Sequence, residues 1–107
     1  MITLTDQTFS PEITRAALPA IVMFYAVWCP RCAMMKPVAE ALEHRLEGRL
    51  LFYKVDTDAS PNISAVYAPD LVPAFVCFRN GRCLGSMCGI IDETLLEQRI
   101  QKIFRNS

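Results

Sequence analysis

The 107-residue sequence has no surplus of either charge, since its eleven basic residues balance its eleven acidic ones and no basic run occurs. Nucleic-acid binding needs a basic surface, so a nucleic-acid partner is not expected. The longest apolar run, residues 18–29, is too short to span a bilayer, so no membrane partner is expected either. Residues 1–6 lack the charged segment and following apolar segment of a secretory signal. The cytoplasm is therefore the expected location.

Potential metal ligands are few, because the chain has one histidine and five cysteines, an odd number. An odd number cannot be fully paired within a monomer, whereas free cysteines in a reducing compartment behave as small apolar residues. A structural zinc site usually needs two closely spaced ligand pairs. Cys29 and Cys32 form a single C-x-x-C pair, and His44 follows about three helical turns later. No metal is expected, and a zinc protein is kept only as a minor alternative.

The hydrophobic pattern predicts the element order β-α-β-α-β-α-β-β-α. The predicted strands are residues 2–5, 20–27, 50–56, 74–79 and 82–88, and the predicted helices are residues 10–18, 30–46, 60–68 and a last one that Asp92 caps. Ser10-Pro11 and Ser60-Pro61 each combine an N-cap residue with a proline at the first helical position. Asn80-Gly81 is typical of a two-residue hairpin. We expect a single α/β domain over residues 1–107, whose mixed sheet combines a parallel βαβ part with a C-terminal antiparallel hairpin and carries helices on both faces.

Two packing details also follow from the periodicity. Apolar residues recur at helical spacing in the second helix and are expected to form its buried face; they are Met34, Val38, Ala41, Leu42 and Leu46. Pro37 is expected to kink this helix. In a regular two-residue hairpin Cys77 would face Leu84 and Cys83 would face Phe78, so the two cysteines would be buried thiols on opposite faces of the sheet.

The most informative motif is the segment Trp28-Cys29-Pro30-Arg31-Cys32, where a buried strand gives way to a helix. Two cysteines three positions apart across a first helical turn can close a small disulfide ring. The first also lies near the helix N-terminus, where free N–H groups and the macrodipole favour a thiolate. Pro30 has no N–H, so the donors to the Cys29 sulfur are expected to be Arg31 and Cys32. The motif therefore predicts reversible dithiol–disulfide chemistry at an accessible Cys29.

Over essentially its whole length the chain resembles the thioredoxin family. The matching landmarks are Phe24, Ala26, Trp28-Cys29, Cys32, Pro37, Lys54, Asp58, Val72-Pro73, Asn80-Gly81 and Gly89. Pro73 follows Cys32 by 41 residues, and Gly89 follows Pro73 by 16, which is also the family spacing. The resemblance implies the thioredoxin fold, a nucleophile at Cys29, a resolving thiol at Cys32 and a cis-proline at Pro73, where the backbone of Val72 would pair with substrate.

The resemblance also implies partners. The substrates would be protein disulfides, and the electrons would come from a reductase of the thioredoxin-reductase type. No G-x-G-x-x-G motif follows any predicted strand, so no nucleotide site is expected. No cofactor is expected beyond the reversible Cys29–Cys32 disulfide, and a monomer is expected.

Three residues depart from the family pattern or add to it. Arg31 follows Pro30 where thioredoxins have Gly-Pro, and its charge is expected to favour the Cys29 thiolate and give a less reducing potential. The alternative is a solvated arginine without effect. Met23 stands where thioredoxins have a buried acid that helps to move the proton of the second cysteine. Either Lys54 and water serve instead, or resolution is slower; Lys54 is equally compatible with an ordinary strand lysine.

Cys88, next to Gly89, is expected to lie in the groove beside the active-site sulfurs. It is either a third redox thiol or a small apolar groove residue, and the second interpretation is favoured.

Two further functions stay open beside protein-disulfide reduction. One is a disulfide oxidase or isomerase of the same fold. The other is a binding module whose partner docks at Trp28 and Val72, with incidental redox activity.

Overall fold

A five-stranded mixed sheet forms the centre of the protein in a computed structural model that describes residues 1–106. The elements are β1 (Ile2–Thr3), α1 (Phe9–Arg15), β2 (Ala20–Tyr25), α2 (Pro30–Arg45), β3 (Leu51–Asp56), α3 (Pro61–Tyr67), β4 (Ala74–Arg79), β5 (Arg82–Cys88) and α4 (Glu93–Arg105). The strand order is β1-β3-β2-β4-β5. β3 runs parallel to β1 and β2, whereas β4 is antiparallel to both β2 and β5. The predicted α/β architecture is confirmed; the last residue of the expected domain 1–107 lies outside the described residues.

The central strand β2 is apolar throughout because helices cover both of its faces. Ile21 and Met23 face the core beneath α2 and α4, whereas Val22 and Phe24 face the core beneath α1 and α3. This two-residue alternation places neighbouring side chains in different cores. The strand that leads to the cysteines is therefore held from both sides.

The buried face of α2 matches the predicted one only in part, since Leu42 and Leu46 are buried and Val38 packs against the core as expected. The buried residues of the helix are Cys32, Met35, Ala39 and Leu42. Met34 is 59% exposed, and Ala41 is also exposed. Apolar residues occur in adjacent pairs along this helix, so two helical stripes fit the sequence. Packing of Met35, Ala39 and Leu42 into the core beside the sheet selects one. The helix continues through Pro37 to Arg45.

The first helix begins earlier than predicted, with Thr8 rather than Ser10 at its N-cap. Thr5 and Thr8 close the turn before it, since the Thr5 N–H donates to Thr8 Oγ1 at 2.9 Å and the Thr8 N–H donates to Thr5 Oγ1 at 3.3 Å. Pro11 then lies in the first helical turn, where an N–H has no acceptor within the helix. The other predicted start, Ser60-Pro61, is confirmed.

The β4–β5 hairpin turns at Asn80 and Gly81 as predicted, but its register is irregular. Phe78 lies opposite Cys83 as expected, whereas Cys77 lies opposite Gly85 and not Leu84. One extra residue in β5 forms a bulge, and strict alternation of faces does not carry across a bulge. The opposite-face placement of the two cysteines therefore does not follow.

Cys77 and Cys83 differ in burial. Cys77 is fully buried, and burial, with a smaller contribution from nearby Cys83, raises its pKa to about 12. Cys83 is exposed, so its prediction as a buried thiol is wrong, because β5 is the edge strand of the sheet. Within residues 1–106 no helix is long and apolar enough to cross a membrane.

Candidate active site

Cys29 is the N-cap residue of α2, as its position before Pro30 predicted. Its backbone is extended, with φ −91° and ψ 111°, and Pro30 begins the helix. The N–H of Cys32 donates to the Cys29 sulfur at 3.2 Å. A side chain that accepts from the first helical turn satisfies a backbone donor that the helix itself cannot pair. The same contact brings the two cysteines together.

The surroundings of Cys29 favour its thiolate. Burial raises the pKa of Cys29, but several interactions outweigh it and bring the pKa below its ordinary value. These are hydrogen bonds from the Cys32 side chain, from the backbone N–H groups of Cys32 and Arg31, and the positive charge of Arg31, in that order. Both predicted backbone donors therefore contribute. The charge of Arg31 acts in the expected direction, although the hydrogen bonds contribute more.

Cys32 is the more protected thiol. It is 3% exposed, and burial together with the hydrogen bond to Cys29 raises its pKa to about 11. The charge of Arg31 and a backbone hydrogen bond at Ala26 oppose this shift only in part. At neutral pH the pair therefore consists of one thiol disposed to ionise and one that keeps its proton.

The expectation of an openly accessible Cys29 is wrong for this dithiol form. The residue is only 4% exposed, because Val72, Tyr25 and Ala26 pack around the two cysteines. A protein segment must therefore approach Cys29 through the groove that Val72 borders.

The Val72–Pro73 segment lies directly against the dithiol. The Val72–Pro73 bond is cis, as the resemblance implied. The Cys29 Sγ lies 3.8 Å from the carbonyl oxygen of Val72, and the Gly89 N–H donates to the carbonyl oxygen of Pro73 at 2.9 Å. The short segment Val72–Pro73 therefore connects two predicted groove residues to the site. Val72 contacts Cys29, and Gly89 is hydrogen-bonded to Pro73.

Trp28 lies on the surface beside Cys29 and is 68% exposed. Its indole Nε1 donates to Asp58 Oδ2 at 2.8 Å. Asp58 follows β3 in a turn where Asp56 Oδ1 accepts from the Asp58 N–H at 3.0 Å. Asp58 was a landmark of the resemblance, but nothing local in the sequence assigns it this partner 30 residues away. The hydrogen bond orients an exposed indole beside the site.

A cavity of about 310 Å³ reaches the dithiol from the side of β2 and β3. Cys29, Cys32, Met23 and Lys54 all line it, so Lys54 does share a space with the resolving thiol. The Lys54 ammonium lies 5.9 Å from the centre of the Tyr25 ring. Lys36 also lines the cavity and was missed, because a lysine on an exposed helical position carries no distinguishing signal.

Cys88 lies at the end of β5, opposite Ala74 and next to Gly89. It is exposed, and its place in the groove beside the active-site sulfurs stays a prediction. All five cysteines are free thiols.

His44 lies in the last turn of α2, away from the cysteines at its start. Among residues 1–106 there is no group of three or more histidine, cysteine or acidic residues that could hold a metal ion.

Comparisons with known proteins give a consistent result. The family model described as Thioredoxin matches residues 1–102. Thioredoxin 1 of Nostoc sp. and a thioredoxin of Porphyra purpurea are each 31% identical over 99 residues, which is 92% of this chain and 92% of each relative. Thioredoxin M4, chloroplastic, of Arabidopsis thaliana is also 31% identical over 92% of this chain, which corresponds to 51% of that protein. The chain belongs to the thioredoxin family, and it is a thiol–disulfide oxidoreductase with the thioredoxin fold.

Proposed function

We propose that this protein reduces protein disulfides, with Cys29 as nucleophile and Cys32 as resolving thiol. The opposite pKa shifts of the two cysteines carry the proposal, since the pKa of Cys29 is lowered and that of Cys32 is raised to about 11. The thiolate is the nucleophile in disulfide exchange. Cys29 therefore attacks the substrate disulfide first, while Cys32 remains protonated.

The two steps balance without a cofactor. The Cys29 thiolate attacks one sulfur of the substrate disulfide, whose S–S bond breaks as a mixed disulfide forms and the other substrate sulfur leaves as thiolate. Cys32 then loses its proton and attacks the Cys29 sulfur, which releases the second substrate thiolate. The two electrons gained by the substrate come from the dithiol, which ends as the Cys29–Cys32 disulfide.

The groove beside the dithiol supports a protein substrate. Val27, Trp28, Leu71 and Ile90 are exposed apolar side chains in the loops around the cysteines. The backbone of Val72 offers a place for an extended segment to pair as an added strand. Exposed apolar surface of this kind marks interaction sites.

Proteins of this family act on protein disulfides and are reduced by reductases. For this chain the proposed donor is a reductase of the thioredoxin-reductase type, and the proposed working form is a monomer. A reducing compartment such as the cytoplasm is the proposed location, because an odd number of cysteines cannot be fully paired within a monomer.

An insulin reduction assay with a dithiol reductant tests this function. We expect the wild type to accelerate insulin precipitation and Cys29→Ser to abolish the acceleration. Cys32→Ser should accumulate a mixed disulfide with the substrate, because the first step remains possible and the second does not. The matched control is Cys83→Ser, an exposed cysteine at the far end of β5, which should leave the rate unchanged. Full activity of Cys29→Ser would contradict the proposed role of Cys29 as nucleophile.

A disulfide oxidase or isomerase is the second candidate, and the lowered pKa of Cys29 favours it. Stabilising the thiolate stabilises the reduced dithiol, which makes the pair a weaker reductant. Equilibration with a glutathione redox buffer separates the two functions. A potential near that of thioredoxin, about −270 mV, supports the reductase, whereas a value near about −120 mV supports the oxidase. A binding module with incidental redox activity remains as the third alternative, which the insulin assay tests.

A further inference from the structure

The cavity beside the dithiol has the size of a small-molecule site. Its volume of about 310 Å³ lies at the lower end of the range for ligand pockets in proteins, roughly 300–1,000 Å³. Both cysteines line it, together with the apolar side chains of Met1, Met23 and Ala33. A few-atom disulfide can therefore reach the sulfurs from this side, whereas a folded protein segment is too large to enter.

Two positive charges border this cavity without partners of opposite charge. Lys36 and Lys54 line it, and neither forms an ion pair with any of residues 1–106. None of the lining residues, all of which belong to that part of the chain, carries a carboxylate. Arg31 adds a third positive charge close enough to act on both cysteines.

Two acidic groups outside the lining interact with residues that line the cavity. Burial and the negative charge of Asp56 raise the pKa of Tyr25, which lines the cavity. Asp56 Oδ1 also accepts from the backbone N–H groups of Asp58 and Ala59 at 3.0 and 3.4 Å. Glu43 pairs with the N-terminal amino group of Met1 at 3.1 Å. The lining itself therefore carries two positive side chains, Lys36 and Lys54, and no negative one.

We propose that this cavity makes small disulfides bearing carboxylates preferred substrates of the dithiol, over neutral or cationic ones of the same length. This selectivity rests on the proposed exchange at Cys29 and Cys32. The Cys29 thiolate attacks the small disulfide, and one half leaves as a thiolate. Cys32, after losing its proton to water, displaces the other half, so two electrons pass from the dithiol to the small molecule. Lys36 and Lys54 act as specificity-determining residues that hold the carboxylates.

The test is a single-turnover reaction of the reduced protein, followed by the fluorescence of Trp28 beside the dithiol. Three size-matched probes are used: dithiodipropionate with two carboxylates, hydroxyethyl disulfide without charge, and cystamine with two ammonium groups. Because the leaving thiols differ in pKa and hence in intrinsic rate, the informative quantity is how the anionic-to-cationic rate ratio changes between variants. In Lys36→Gln/Lys54→Gln the ratio is expected to fall at least about fivefold, since a single charge pair at 4 Å in water already contributes about fivefold.

The matched control is Arg99→Gln/Lys102→Gln, which removes the same net charge from α4 and should keep the wild-type ratio. About 1 M salt should lower the ratio of the wild type, because it shortens the screening length to about 3 Å. An unchanged ratio in the Lys36/Lys54 variant would overturn the selectivity. The neutral probe separates this failure from a failure of dithiol exchange, since its reaction should persist in the wild type and in Arg99→Gln/Lys102→Gln and be lost in Cys29→Ser.

Discussion

The two cysteines of the site differ in pKa because Cys29 is the N-cap of α2 and Cys32 lies buried inside its first turn. Cys29 accepts from the N–H of Cys32 at 3.2 Å, so its thiolate uses donors that the helix leaves unpaired. Cys32 is held inside the first turn, where burial raises its pKa to about 11. A sequence separation of three residues thus produces two thiols with different tasks.

Replacing Arg31 by glutamine is expected to raise the pKa of Cys29 and to make the redox potential more negative. The sign follows because the positive charge stabilises the thiolate, which exists only in the reduced form. We expect a change below about 30 mV, which is tenfold in the equilibrium constant, because hydrogen bonds contribute more than this charge. The pH profile of iodoacetamide labelling and glutathione equilibration measure the two effects. Arg82→Gln, an exposed arginine in β5, is the control, and an equal response to it would refute a local role for Arg31.

Much of the cysteine chemistry could be predicted from neighbouring residues alone. The N-cap position of Cys29 and its donors, Arg31 and Cys32, follow from the helix start at Pro30. The near-complete burial of Cys29 could not be predicted, since it depends on Val72, 43 residues further on. Lys36 also required the fold, because only packing reveals that it shares a cavity with Lys54.

In the β4–β5 hairpin, neighbouring residues determine the turn, whereas contacts with other elements help to determine the register. Asn80 and Gly81 have φ of 54° and 78°, the left-handed conformation that this two-residue turn requires. The turn was therefore predictable from its two residues. The bulge that shifts Cys77 opposite Gly85 was not, because the register also depends on which β5 side chains fit against α4.

Gly81→Ala is expected to destabilise the protein by about 1–2 kcal/mol, since an L-residue in the left-handed region is strained by that amount. The added Cβ would also meet Thr14 Oγ1 at 3.4 Å, which is tight contact. Urea denaturation measures the loss. Gly48→Ala is the comparison, because Gly48 has φ +85° with nothing within 4 Å of a new Cβ. A larger loss at position 81 would report the contact with Thr14, whereas no loss at either position would contradict the strain.

The active site forms at one edge of the sheet because four chain segments end or begin there. Cys29 follows β2, and Asp58 follows the parallel β3; Pro73 precedes β4, which runs antiparallel to β2, and Gly89 follows β5. Carboxyl ends of parallel strands meet at one edge, and an antiparallel strand starts at the same edge. Met23 lies between the core and the active site, since it is buried in β2 and lines the cavity behind Cys32.

Met23→Asp is expected to lower the stability of the whole protein and to raise its rate of disulfide reduction. A carboxylate at this buried position costs roughly 1–3 kcal/mol or more, but it can accept the proton of Cys32 through the cavity. We expect at least a severalfold faster decay of the mixed disulfide at pH 7, where Cys32 otherwise keeps its proton. Met23→Asn is the matched control, with a similar loss of stability and no gain in rate. Equal rates in the two variants would rule out proton transfer as the limitation.

The sequence alone determined the element order, the hairpin turn, the starts of α2 and α3, and the dithiol at a helix N-terminus, because each depends on residues close together in the chain. Tertiary structure decided which stripe of α2 is buried and the register of β5. It also decided the hydrogen bond between Trp28 and Asp58 and the lysine-lined cavity behind the cysteines. These features arise from contacts between residues far apart in sequence, where several local patterns are equally acceptable and only packing selects one.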